Sequence, residues 1–159
     1  MAQIDIKNCT IKFKDGGSEE LTIKVGEGNL TWSEKRNIEF VKDRGELDLV
    51  REGDKVPLDV SLNLVWEFLS TMSSDTIPTP EEVLKQTGEA SAWVTTDSDT
   101  CRPYAIDIEI EHDAPCAGTD DERITLSDFR WESVDHDLKA GTLSVTGKCN
   151  VSVATVVRF

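Results

Sequence analysis

Little in this chain of 159 residues equips it for catalysis, export or membrane insertion. It contains four cysteines, two histidines and one tyrosine. Four cysteines in a chain of this size are too few for a disulfide scaffold. The N-terminal stretch Met1-Ala2-Gln3-Ile4-Asp5 lacks a basic segment followed by an apolar one, so no secretion signal is expected and the default compartment is the cytoplasm. No run approaches the roughly 18 apolar residues that a membrane helix needs. Positive charge is scarce as well. Lys and Arg total 17 against 31 Asp and Glu, giving a net charge of -14 and a pI near 4.5. A protein held on nucleic acid by phosphate contacts needs a basic face, and so does one held on anionic lipid. Phosphate-loop, nucleophile-elbow, zinc-protease, C-x-x-C and calcium-loop motifs are all missing, and Gly26-Glu27-Gly28 is half of a dinucleotide fingerprint at most. Three N-x-S/T triplets, at Asn8, Asn29 and Asn150, are chance matches in a chain without an export signal. No catalytic residue, cofactor or metal site is expected.

The chain does have period-two alternation, and enough length for one domain with a real core. Ile4 and Ile6, then Cys9, Ile11 and Phe13, alternate with polar residues, with a change of parity near Lys7-Asn8 that suggests a bulge. Asp15-Gly16-Gly17 reads as a hairpin turn, returning through Leu21, Ile23 and Val25. The strongest alternation is Leu58, Val60, Leu62, Leu64, Trp66 and Phe68, which a strand places on one face and a helix would scatter. The last third suggests a meander of strands near 104–111, 124–134 and 142–150, joined by loops at 112–123 and 135–141. One helix is signalled over 80–87: Thr79 as N-cap, Pro80 at the first position, Glu82 completing a capping box and Gly88 closing the end. The expected fold is mainly β, an antiparallel β-sandwich or barrel with one short flanking helix, in a single domain over 1–159.

Several residue groups invite a functional reading and mostly return a structural one. Asp135-His136-Asp137 places an imidazole beside carboxylates, but in an expected turn, where solvation is the simpler role. Cys116 and Cys149 fall at the same end of the meander and Cys101 at the other, so only the first two are plausible neighbours; reduced thiols, a disulfide or a metal site with His112 or His136 all stay open. Trp32, Trp66, Trp93 and Trp131 suit either core packing or a sugar platform. Asp107, Glu109 and Glu111 alternate with Ile106, Ile108 and Ile110 and suit a solvated face.

The distribution of charge is more informative than its total. Residues 35–55 hold six bases (Lys35, Arg36, Lys42, Arg44, Arg51, Lys55) and six acids (Glu39, Asp43, Glu46, Asp48, Glu52, Asp54), so the whole net charge lies outside them. Ile38-Glu39-Phe40-Val41 and Leu47-Asp48-Leu49-Val50 flank Asp43-Arg44-Gly45-Glu46, the outline of a protruding hairpin. Such a segment suits a surface that meets another subunit, or one folded back on its own domain.

Val41-Lys42-Asp43-Arg44-Gly45-Glu46-Leu47-Asp48, the run from Arg51 to Val60 (Arg51-Glu52-Gly53-Asp54-Lys55-Val56-Pro57-Leu58-Asp59-Val60), the run from Phe129 to Leu138 and Gly147-Lys148-Cys149-Asn150 resemble tail tube proteins of bacteriophages and prophages, whose architecture also occurs in bacterial secretion tubes. The resemblance implies a non-enzymatic virion protein, assembled in the bacterial cytoplasm into hexameric rings that stack into a tube for the genome. It implies inter-subunit contacts at Arg44, Gly45, Glu46, Arg51, Glu52 and Asp54, with Asp107, Glu109 and Glu111 as candidates to face the lumen. Its partners would be further copies of itself and other tail components such as terminator, tape measure, baseplate and sheath, with DNA passing through unbound and no membrane involved. An acidic wall would favour that passage by repelling phosphates. The alternative from the residues themselves is a ligand- or carbohydrate-binding β-sandwich module.

Overall fold

A computed structural model describes residues 6–23, 28–65, 77–113 and 121–158. Its strands are β1 (Cys9–Lys14), β2 (Glu20–Ile23), β3 (Leu30–Ser33), β4 (Ile38–Asp43), β5 (Glu46–Glu52), β6 (Leu58–Val65), β7 (Ile106–His112), β8 (Glu122–Asp137), β9 (Thr142–Cys149) and β10 (Thr155–Arg158), with helix α1 at Pro80–Lys85. Among the described residues eight strands form one antiparallel sheet in the order β2-β1-β7-β8-β9-β6-β3, with β10 added beside β8, and β4 and β5 pair only with each other.

Alternation decides the core. On β6, Leu58, Val60, Leu62 and Leu64 are all buried and the residues between them are not. The same parity puts Ile11 and Phe13 of β1, Ile106, Ile108 and Ile110 of β7, and Leu143 and Val145 of β9 into one continuous cluster. Each such side chain contributes roughly 1.5–3 kcal/mol when fully buried. Trp66 and Phe68, expected to continue the β6 face, lie outside the described residues, as do Ile4, Val25 and Cys116.

Strand β8 organises the sheet. Its first part lies between β7 and β10, and from Phe129 onward it pairs with β9. A strand of 16 residues must bend to stay on a compact core, and it does so at two register shifts. At the first, Asp128 takes a positive φ of 56°. That shape is fixed by its amide donating to Asp107 Oδ1 (3.0 Å), its carboxylate accepting from Thr96 Oγ1 (2.8 Å) and its carbonyl accepting from the Asn150 amide (3.2 Å).

The mainly β, antiparallel expectation holds, with one α-helix among the described residues. Among the described residues the terminal strands β2 and β3 do not pair with each other, so the sheet is open and not closed as a barrel. The helix begins as expected, with Thr79 Oγ1 accepting from the Glu82 amide (3.3 Å) and Pro80 in the first turn. It ends at Lys85 and not at 87, because Gln86 adopts the left-handed conformation (φ 55°) and takes the closing role assigned to Gly88. The Glu82 carboxylate is drawn to the Glu89 amide (2.6 Å), which fixes the short 3-10 turn Gly88–Ala90 that follows. Near the N-terminus, Ile6–Asn8 form a 3-10 turn where a bulge was expected.

The first hairpin is stitched by a side chain. Asp15 is buried and its carboxylate accepts from the amides of Gly17 (2.9 Å), Glu19 (3.1 Å) and Val94 (3.1 Å). One carboxylate thereby shapes the β1–β2 loop and ties it to a segment almost eighty positions away. Gly16 has to be a glycine here, since a Cβ would collide with the Thr95 carbonyl.

Candidate assembly interface

The hairpin expected from charge balance exists and stands apart. The Gly53 amide donates to the Asn37 carbonyl (2.7 Å), closing the base, and beyond that point, among the described residues, β4 and β5 pair only with each other. Only Ile38 and Glu39 are even partly covered; every other residue of both strands is exposed. The two-residue turn has φ 51° at Arg44 and 84° at Gly45, the positive pair that matches the right-handed twist of a hairpin. Nothing lies near a Cβ placed on Gly45, so the glycine answers to backbone conformation alone.

The apolar content is what makes the hairpin unusual. Phe40 is 59% exposed, Leu47 66%, Leu49 52% and Val50 56%. A two-stranded ribbon is marginal in water by itself, and here it holds out the side chains that ordinarily go inside. The sequence-based contact residues sit as follows. Arg44, Gly45 and Glu46 form the tip. Arg51 is engaged within the ribbon, its Nε 2.6 Å from Glu39 Oε2 on the cross-strand partner. Glu52 ends β5, and Asp54 follows in the exposed connection to β6. Beside them stand Phe40, Leu47, Leu49 and Val50, the apolar residues that the sequence places on the flanks of the hairpin.

Asp107, Glu109 and Glu111 do share one face, but not as free negative charge. Lys14 Nζ lies 2.7 Å from Glu109, and Arg123 bridges Glu109 (3.2 Å) and Glu111 (3.0 Å). Glu109 is buried at 6% exposure. Burial pushes the Asp107 carboxyl up, with the neighbouring Asp128 carboxylate adding to that and the Asp128 amide opposing it. Glu109 and Glu111 are thus ion-paired and Asp107 is hydrogen-bonded to the Asp128 amide, so the face is not a solvated acidic row.

Asp135-His136-Asp137 belongs to the end of β8 and not to a turn, which is confined to 138–141. His136 Nε2 lies 2.9 Å from Glu81 Oε1 on α1, and Lys85 lies 2.7 Å from the same oxygen. The Lys85 contact, then His136, hold the Glu81 carboxyl below its usual range. Lys85 also sits 5.7 Å from the Trp131 ring centroid. This cluster fastens the helix against the part of β8 that β7 leaves uncovered. Another buried carboxylate, Asp97, accepts from the Asp99 amide (3.0 Å) and from Arg130 (2.7 Å), and both hold it below the usual range.

The tryptophans are dispersed. Trp93 is buried in the core, Trp32 packs against it, and Trp131 lies beneath Lys85. Cys101 and Cys149 are free thiols, and burial pushes that of Cys149 up to about 12. Among the described residues no cluster of His, Cys, Asp and Glu could hold a metal ion.

No protein-family model and no curated protein matches the chain. Solved structures do share its fold. One is the sheath/tube terminator, in the extended state, of an extracellular contractile injection system (PVC), 13% identical with a TM-score of 0.56 over 99% of this chain and 98% of that one. Another is the anti-feeding prophage cap (AFP tube terminating cap), 12% identical with a TM-score of 0.54 over 100% of this chain and 93% of that one.

Proposed function

We propose that this chain is a structural, non-enzymatic component of a phage-tail-like tube, associating with copies of itself through the β4–β5 ribbon into hexameric rings that stack around a passage for DNA. The observation that carries this is the ribbon: a charge-balanced segment in a chain of -14, extended from a folded sheet with its apolar side chains in water. Like-charged copies repel each other over most of their surface and least where the charge cancels. Arg44, Gly45, Glu46, Arg51, Glu52 and Asp54 then lie at or beside the contact. Arg51 acts by stiffening the ribbon through Glu39, and Arg44 by reaching a neighbour.

The face carrying Asp107, Glu109 and Glu111 is the proposed lumen wall. Because Lys14 and Arg123 are threaded through it, it neither binds phosphate strongly nor repels it strongly, which suits transit. Other tail proteins would be its neighbours, in a virion or a particle built like one.

The two structures described above terminate a tube, which favours a second version of the same proposal: a ring that ends a tube and does not extend it. Negative-stain electron microscopy of the purified chain separates the two. Tubes of variable length indicate the repeating unit, discrete six-fold rings indicate a terminator, and a strict monomer at high concentration with tail components present contradicts both.

A further inference from the structure

The β4–β5 ribbon is not apolar on one side only. Directly paired residues share a face, and the register pairs Ile38 with Glu52, Glu39 with Arg51, Phe40 with Val50 and Val41 with Leu49. A bulge then intervenes between Val41 and Lys42, after which Lys42 pairs with Leu47 and Asp43 with Glu46. Without it, Leu47 and Leu49 would point the same way, two residues apart on one strand. The bulge sends Leu47 to the face of Ile38, Phe40 and Val50, leaving Val41 and Leu49 on the other. The first face also carries Lys42 and Glu52; the second carries Arg51, paired with Glu39 at 2.6 Å, and Asp43 and Glu46 towards the tip. Each face therefore presents apolar side chains bordered by charged ones.

A hairpin that lies on a flat surface needs one apolar face and keeps the other polar. We infer that the ribbon is gripped on both faces, between two other copies of this chain. The inference rests on the proposed self-association and adds its geometry. Strands of six and seven residues reach about 20 Å at roughly 3.3 Å per residue, far enough to pass beyond the chain that carries them. The partner is a copy because the ribbon segment, residues 35–55, is charge-balanced in a chain of -14, so contact through it adds no like-charge repulsion between copies. A ribbon held by two neighbours ties three chains with one element, which makes assembly depend on each face separately.

Two double variants test this, each at exposed positions: Phe40→Ser with Leu47→Ser, and Val41→Ser with Leu49→Ser. Both should keep the thermal midpoint of the wild-type monomer. Sedimentation velocity across a concentration series should show each raising the concentration for half-assembly by at least about tenfold, since each removes two buried apolar side chains per ribbon. If only one double variant weakens assembly, the ribbon docks by a single face; the two-sided grip is overturned while self-association stands. If neither does, or if the wild-type chain stays monomeric, another partner covers the ribbon and both proposals fall. Hydroxyl-radical footprinting of the assembled wild-type chain gives the same answer without substitutions: Phe40 and Leu49 both become protected, and protection of one alone contradicts the grip.

Discussion

Strand β6 and the β4–β5 ribbon are built from similar residues and use them in opposite ways. On β6, four apolar side chains face one way and are all buried, with Asp59, Ser61 and Asn63 facing outward. On the ribbon, Phe40, Val41, Leu47, Leu49 and Val50 are divided between two faces and all are exposed. Strand β6 is held by neighbours on both edges, β9 and β3, whereas among the described residues the ribbon has none. Burial within one chain stabilises that chain; apolar surface left outside stabilises a contact with another. The core should therefore answer to folding measurements and the ribbon to association measurements, and substitutions can separate the two.

The largest effect belongs to the core. Phe129 is buried beside Gly147, where an added Cβ would strike its ring, so little space exists for the surroundings to collapse. Phe129→Ala should cost about 3–5 kcal/mol in urea unfolding. A loss below 1 kcal/mol would mean that β8 is not the organiser of the sheet. Asp15→Ala comes next, at about 2 kcal/mol, because three backbone amides lose one acceptor. Proteolysis near Val94 should accelerate in that variant, and an unchanged digestion pattern would contradict the tie between the hairpin and the 93–97 segment.

Smaller effects sharpen the same contrast. Arg44→Glu at the exposed tip should shift monomer stability by no more than about 0.5 kcal/mol while weakening assembly, the reverse of the pattern at Phe129. Equal assembly by the variant would remove Arg44 from the contact. Asp107→Asn should give a small gain in stability at pH 7. The carboxyl's native pKa lies above its unfolded value, so ionisation disfavours the native state as pH rises past that range, and an amide escapes the penalty while still accepting from the Asp128 amide. The gain should vanish below about pH 4, where both forms are neutral; a gain independent of pH would refute the electrostatic origin.

Legibility in the sequence followed the range of the interactions. The β6 face, the Thr79-Pro80 helix start and the charge-balanced hairpin rest on residues within a few positions of each other, and all were readable. Strand β10 was not foreseen: Thr155–Arg158 has four exposed residues and no alternation, and it exists because β9 stops at Cys149 and leaves the first part of β8 without a partner on that side. His136 was assigned to a turn because its contact, Glu81, is 55 positions away. The buried role of Asp15 did have a local signal, an Asp before two glycines, but that signal reports the turn and not the distant Val94 amide. In the ribbon, charge identified the segment while the bulge that divides its apolar residues between two faces appeared only in the register.

Excising the ribbon tests the central claim most directly. Because the Asn37 carbonyl and the Gly53 amide already meet at 2.7 Å, residues 38–52 can be replaced by a short Gly-Ser turn without straining β3 or β6. Sedimentation velocity of that variant, alongside its thermal unfolding, should return a folded monomer at concentrations where the intact chain forms rings or tubes. Assembly of the excised chain at the wild-type concentration would contradict the account.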